Sequence, residues 1–303
     1  MNLRDLRYLL AVAEHRHFGR AAEASFVSQP TLSGQIKKLE ERLGIVIFER
    51  SHRSVEVTPQ GEQILAHARR AIAEIEAIEV LAQSVQRPLE GPFRLGVIPT
   101  LGPYLMPLLL GPLRAHYPEL RLVLNEEMTA RLLTHLHHHE LDAALIATPA
   151  EANLREIPLF DEPFWLAHPS GHPLEQRATI TEPDLPVHEL LLLAEGHCLT
   201  DQVMDICHID AAGEEDLRAS SLETLMQLVG AGLGCTLLPA LALHGTWQNH
   251  TGIRLRPLQI PNAGRRIRLV TRATFPHTGS LEALAQLIRE QLPATITPAG
   301  PTG

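Results

Sequence analysis

Residues 3 to 15 place Leu3, Leu6, Leu9, Leu10 and Ala13 at helical spacing, which predicts a helix with one apolar face. The small residues of FGRAAEAS, beginning at Phe18, predict a second, short helix able to pack closely against the first. After a break at Phe26 and Val27, Ser28 is a favourable N-cap, and Pro30 falls in a first turn, where its missing N–H costs nothing. A third helix, SQPTLSGQIKKLEERLG, is stopped by Gly44. Within it Leu32, Ile36, Leu39 and Leu43 form an apolar stripe, while Gln29, Ser33 and Lys37 share the neighbouring face with Pro30 beside them. Amide and hydroxyl groups near a helix N-terminus suit base edges in a major groove, and a lysine further along suits phosphate. A merely solvated polar face is the alternative.

IVIFERSHRSVEVT alternates on both sides of Ser51 to Ser54 and predicts a β-hairpin whose tip bears Arg50, His52 and Arg53. A basic hairpin after a helix-turn-helix is a wing, placed to follow the DNA backbone or minor groove. From Pro59 to about Val85, the positions Ile64, Ala68, Ala71, Ile75, Ile78, Ala82 and Val85 repeat at alternating steps of four and three, the seam of a coiled coil. Its roughly 25 residues span about 37 Å, close to the separation of about 34 Å between half-sites on one face of DNA. Two copies joined there would read double-stranded DNA as a dimer.

RPLEGP, with two prolines and a glycine, reads as a linker. Beyond it, short apolar runs (FRLGVI, LRLVLNE, LDAALIAT) alternate with helical patterns such as YLMPLLLGPLRAHY and ARLLTHLHHHEL, predicting an α/β domain with a largely parallel sheet. Further runs at FWLAHP, HELLLLAE, GCTLLPA and RRIRLVTR predict a second lobe, after which the chain returns to the first. The expected organisation is a winged helix-turn-helix over residues 1–60, a dimerisation linker helix over 61–87, and a two-lobed α/β regulatory domain over 91–303. Thr100 and Thr129 precede helices in this body, at the corners where such folds bind ligands, although a plain helix cap is the ordinary explanation.

Composition sharpens the picture. The 303 residues carry a net charge of −9, yet residues 1–61 hold nine Lys and Arg against seven Asp and Glu, while 91–303 hold 14 against 23. A mildly basic head on an acidic body excludes indiscriminate nucleic-acid coating but leaves a local face able to neutralise phosphates. No apolar run has the 18 or so residues of a membrane span, and Asp5 with two arginines interrupts what would be a secretory signal. A cytoplasmic location is therefore expected, with no membrane partner, and three cysteines there do not read as a disulfide framework. No nucleophile–base motif, phosphate loop or cofactor fingerprint stands out, so neither an enzyme nor a bound cofactor is expected.

Two clusters remain. In HLHHHE, His135 and His139 lie four apart and could share a metal, but no third ligand stands at a suitable spacing, and imidazoles are welcome at a helix C-terminus; no metal is expected. EGHCLTDQVMDICHID, residues 195–210, holds Cys198 and Cys207. If the segment is helical, with Leu199, Val203 and Ile206 on one face, nine steps of about 1.5 Å separate the two Cα atoms by roughly 13 Å, against about 4.4–6.8 Å for a disulfide. Inert buried thiols, a zinc site with His197 and His208, and a redox switch that must rearrange the helix all stay open. A helix start beside His197, with Arg265 and Arg266 of GRR close by, would lower the pKa of Cys198 and favour the switch. Cys235, in GCTLLPA, reads as core filler.

LRYLLAVAEHRHFGRAAEASFVSQPTLSGQIKKLEERLGIVIFERSHRSVEVTPQGE resembles the DNA-binding region of LysR-type transcriptional regulators. The resemblance implies that Gln29, Pro30 and Ser33 face bases and that Arg4 and Arg50 contact DNA; Lys37 and Arg53 join them from the readings above. It also implies a body like periplasmic binding proteins, with a metabolite in the cleft as the family's default. EHRHFGRAAE, IPTLGPYL, LFDEP, EGHCLTDQ, SLETL and TLLPALA look more closely like the hydrogen-peroxide-sensing activators of that family. That similarity implies Cys198 as the peroxidatic and Cys207 as the resolving residue, with Thr100, Thr129, His197, Asp201 and Arg266 lining the peroxide site, and Arg265 as the alternative alignment for the last of these. It further implies activation of oxidative-stress genes, a homodimer or homotetramer, and engagement of RNA polymerase.

Overall fold

A computed structural model describes residues 1–50, 55–83, 88–209, 218–244 and 252–299, which divide into two compact units. In the first unit, α1 (Leu3–His15) opens with a reciprocal cap: Asn2 Oδ1 accepts from the Asp5 amide at 3.0 Å and Asp5 Oδ2 from the Asn2 amide at 2.8 Å. The short α2 (Phe18–Ala24) is capped by His17, whose Nδ1 accepts from the amides of Gly19 and Arg20. Helix α3 (Gln29–Leu43) starts at Ser28, whose Oγ accepts from the Thr31 amide, and ends at Gly44 in the left-handed region. Leu32, Ile36 and Leu39 of its stripe are buried with Leu9, Val12 and Ala21 of the two preceding helices.

Strands β1 (Phe48–Arg50) and β2 (Val55–Val57) pair antiparallel as the expected hairpin. One oxygen of Glu40 accepts from the amides of Ile47 (2.9 Å) and Phe48 (3.0 Å), fastening the hairpin to α3. The long helix α4 (Pro59–Gln83) follows. Its pattern departs from a pure seam: Leu65, Ala68 and Ile72 are buried in the core of this unit, whereas Ile78 is 65% exposed. The apolar positions of the first turns serve the unit's own core.

In the second unit, β3 (Gly91–Val97), α5 (Gly102–His116), β4 (Leu120–Glu126), α6 (Thr129–His137) and β5 (Ala143–Ile146) build one lobe, with β3 parallel to both β4 and β5. The expectation of a largely parallel sheet fails beyond this point. Strand β6 (Leu154–Pro169) runs antiparallel to its partners across both lobes. The second lobe adds β7 (Leu192–Leu193), α7 (Cys198–Cys207), β8 (Arg218–Ala219), α8 (Leu222–Gly230), β9 (Thr236–Pro239) and β10 (Ile253–Pro257). Both β9 and β10 pair with the C-terminal half of β6. The chain then returns through β11 (Gly264–Arg272), which lies between β6 and β5, and closes with α9 (Thr278–Glu290) and β12 (Thr297–Pro298). No helix among the described residues is long and apolar enough to cross a membrane.

Gly61 shows how tightly the hairpin meets α4: a Cβ there would stand 2.4 Å from the carbonyl oxygen of Ile47. Gly61→Ala is expected to destabilise the first unit by about 1–3 kcal/mol, the usual range for overpacking, measured by urea unfolding; unchanged stability would show that the hairpin yields freely.

Candidate functional site

Along α3, Gln29, Pro30 and Lys37 are exposed and Ser33 is half-buried, so the polar face expected from the sequence is presented outward while the stripe behind it is buried. Lys37 Nζ lies 3.8 Å from Glu41 one turn on, both mostly exposed, a pair too weak in water to hold the ammonium from phosphate. Arg4 is exposed on α1. Arg50 closes β1, but its side chain, like Arg53 and the rest of the hairpin tip, lies outside the described residues. Phe26, read in the sequence as a mere break, is 96% exposed, with a φ of 54° that bulky residues rarely adopt. It projects just ahead of the α3 N-cap.

The body carries a second constellation. Helix α7 runs from Cys198 to Cys207, with both thiols free. Ten helical residues keep the sulfur-bearing positions roughly 13 Å apart along the axis. Leu199, Val203 and Cys207 are buried on its inner face; Ile206, expected beside Leu199 and Val203, is only partly buried. The Thr200 hydroxyl donates to the Leu193 carbonyl at 3.1 Å, and Gln202 Nε2 donates to the Ala147 carbonyl at 2.9 Å, tying α7 to the first lobe.

Cys198 lies in a recess with Ile98, Pro99, Thr100, Met128, Thr129, Gly196 and His197. Neither threonine is a helix cap: α5 is preceded by Leu101, and the buried Thr129 hydroxyl turns to the Cys198 sulfur. His197 donates from its ring to the Ser220 backbone, while its Nε2 is buried with no partner. Burial lowers the His197 pKa, so the ring is neutral and its bare nitrogen is an acceptor.

That neutrality corrects the expected depression of the Cys198 pKa. Burial raises it, with a smaller contribution from Asp201, while the Arg265 charge, the Thr129 hydroxyl and the helix's first amide oppose the rise. Helix start and imidazole alone do not overcome desolvation, because the imidazole carries no charge.

The assignment of Arg266 is also corrected. Strand β11 sends successive side chains to opposite faces. Arg266 faces outward, its Nε and Nη2 bound to Asp161 at 2.7 and 2.9 Å with both side chains about half exposed. Arg265 faces inward: Nη1 donates to Thr100 Oγ1 at 2.7 Å, Nη2 to the Thr100 carbonyl at 3.0 Å, and Nε to Glu162 at 2.8 Å. Glu162, with no exposed side-chain surface, also accepts from the Leu241 amide at 2.7 Å. The sequence reading did not find Glu162, although LFDEP and GRR hold the two acids and two bases that face each other in register. Asp201 is exposed in the first turn of α7 and acts on Cys198 only through its charge. His135 lies 3.7 Å from Glu127, and no ligand group suited to a metal forms around residues 135–139 among those described.

Comparison with known proteins places this geometry. Residues 3–62 match the model for bacterial regulatory helix-turn-helix proteins of the lysR family, and residues 86–293 match the LysR substrate binding domain. The chain is 43% identical to the hydrogen peroxide-inducible genes activator of Pectobacterium carotovorum subsp. carotovorum, over 96% of this chain and 97% of that one. A full-length OxyR variant from Pseudomonas aeruginosa superposes with a TM-score of 0.82 at 42% identity, covering 95% of this chain and 98% of the other. A hydrogen peroxide-bound OxyR mutant from Corynebacterium glutamicum gives 0.66 at 36% identity, over 96% and 92%. With both domain models matched in order and such relatives spanned almost end to end, the chain belongs to the LysR family of bacterial DNA-binding transcriptional regulators, in its OxyR group.

Proposed function

We propose that this regulator is switched by hydrogen peroxide through Cys198 and Cys207 and thereby activates oxidative-stress genes. The observation that carries the reading is the recess at the start of α7, where the Thr129 hydroxyl faces the Cys198 sulfur and His197 Nε2 is buried without a partner. A small molecule able to donate a hydrogen bond satisfies that nitrogen. The Cys198 thiolate attacks one peroxide oxygen, the O–O bond breaks, and the departing hydroxide takes a proton to leave water and a sulfenic acid. Cys207 then attacks that sulfur as thiolate, the S–O bond breaks, a second water leaves, and the disulfide forms. Since α7 holds the pair too far apart, the bond requires the helix to open.

A metabolite in the interlobe cleft is the rival. The recess, closely walled by Thr100, Met128, Thr129 and His197, leaves no space for a molecule of metabolite size, which favours the smaller effector. In the same reading the protein acts in the cytoplasm and is not an enzyme. The α3 face with Arg4, Arg50 and Arg53 engages double-stranded DNA, the exposed far part of α4 joins two chains as a homodimer able to pair into a homotetramer, and oxidation alters contacts with DNA and RNA polymerase.

After a brief low dose of peroxide, mass mapping of the wild-type chain is expected to show a Cys198–Cys207 disulfide. Cys207→Ser is expected to stall as a trappable sulfenic acid at Cys198, and Cys198→Ser to show neither and to lose induction. Peroxide-dependent transcription surviving in Cys198→Ser would refute the switch.

Arg265 lowers the Cys198 pKa against burial, so removing it moves that pKa further up and leaves less thiolate at neutral pH. Arg265→Ala is expected to slow Cys198 oxidation near pH 7 and shift the rate–pH profile to higher pH, whereas Arg266→Ala leaves the profile in place. The opposite ranking in stopped-flow oxidation would return the role to Arg266.

On DNA, Gln29→Ala is expected to cost about 1–3 kcal/mol at the base it reads and to relax preference there, while Lys37→Ala weakens all sites alike and reduces the salt slope by about 1. Binding titrations over a panel of single-base variants at several salt concentrations separate the two, and unchanged base preference in Gln29→Ala would remove it as a reader.

A further inference from the structure

The third cysteine is not alone in its pocket. Cys235, fully buried just before β9, has its sulfur 3.9 Å from Nε2 of His172, which in turn lies 3.2 Å from Oε2 of Glu189. The three ligating atoms all fall within 4.8 Å of one another, and among the described residues no other His, Cys, Asp and Glu side chains form such a group. A tetrahedral zinc with its usual bond lengths needs about 3.5 Å between sulfur and nitrogen and about 3.4 Å between nitrogen and oxygen. The observed separations are close to those edges without an ion present.

The backbone holds this arrangement. The Cys235 amide donates to the Glu189 carbonyl at 2.8 Å and the Leu191 amide to the Cys235 carbonyl at 2.7 Å. Gly234 permits the approach, since a Cβ there would stand 2.4 Å from the Glu189 carbonyl oxygen. Beside them His168 is fully buried: Nδ1 donates to the Pro169 carbonyl at 2.9 Å, which leaves Nε2 a bare acceptor, and that atom has no partner. The His168 and His172 rings are 5.4 Å apart.

We infer that His172, Glu189 and Cys235 form a zinc site in the second lobe, with water as the fourth ligand. Thiolate, imidazole and carboxylate are a donor set suited to zinc, and two anionic ligands neutralise the dication. The metal-bound water supplies the O–H that His168 Nε2 lacks. Burial, with the nearby Glu189 charge, pushes the free Cys235 thiol up to about 12, and zinc displaces that proton into solvent. Ligation at Nε2 of His172 moves the ring proton to Nδ1 and gives up the long 3.2 Å bond that Nδ1 now accepts from the Leu174 amide. The ion would pin the turn after β6, the turn before β7 and the start of β9 together. Nothing in this site rests on the peroxide switch.

Full-length reduced protein, stripped with chelator, should take up one zinc per chain in competition with a chromophoric chelator, and cobalt in its place should give a thiolate-to-metal band. The band is expected to survive in Cys198→Ser/Cys207→Ser and to vanish in Cys235→Ser. Glu189→Gln, a change at a largely exposed side chain, should weaken zinc at least tenfold while the fold stays intact. Absence of stoichiometric binding, a band that follows Cys198 and Cys207, or full affinity in Glu189→Gln would each overturn the site.

Discussion

Arg265 and Glu162 have no exposed side-chain surface, and an ion pair withdrawn from water persists only where its remaining donors and acceptors are also met. Here they are: Thr100 takes two guanidinium bonds through its hydroxyl and carbonyl, and Glu162 takes the Leu241 amide as well. The pair therefore fixes the loop after β3, the crossing strand β6, the returning strand β11 and the segment after β9 relative to one another. It also delivers a positive charge beside a thiol whose pKa burial raises, partly offsetting that rise. Structural clamp and electrostatic source are one group, so the reactivity of Cys198 is tied to the packing of the domain.

Helix α7 imposes the second constraint. Its inner face, Leu199, Val203 and Cys207, is buried, and the Cys207 thiol is pushed up to about 11 by that burial alone. A thiol so protonated is a poor nucleophile while the helix stands. On the proposed mechanism the two steps are thereby ordered: chemistry at Cys198 comes first, and Cys207 becomes reactive only when local opening brings it to water. The same opening removes the separation of roughly 13 Å, so one event supplies both reach and reactivity.

Much of this was legible in the sequence because it follows from periodicity and punctuation. The caps at Ser28 and Gly44, the strands LRLVLNE and RRIRLVTR, and a helix from Cys198 to Cys207 all announce themselves. The rest depends on partners that no local pattern reveals. Strand β6 was read only at FWLAHP, because Pro158, Asp161, Glu162 and Pro163 interrupt its apolar pattern. Leu65 and Ile72 lie off the heptad seam yet fill the core, since the early turns of α4 answer to α1 before any second chain. Arg265 and Arg266 differ by one step in a strand, and a one-residue slip exchanges the recess for solvent. The Cys198 pKa was read with the wrong sign, because the burial that raises it is set by tertiary packing that no local pattern shows.

A raised rather than lowered thiol pKa at the candidate sensor is consistent with a switch that should ignore most of what surrounds it. A permanently ionised thiolate in an open site would meet any electrophile. In the recess, burial disfavours charge and the volume excludes larger molecules, while Arg265 and Thr129 keep the thiolate within reach. On the proposed mechanism hydrogen peroxide, small and neutral, enters without a desolvation penalty for charge and offers the bare His197 Nε2 the donor it lacks. Binding and activation then strengthen each other: the hydrogen bond to His197 Nε2 holds the oxygen near sulfur, and attack leaves a hydroxide to which the Thr129 hydroxyl can donate. Discrimination on this reading comes from the shape and polarity of the recess more than from the intrinsic acidity of its cysteine.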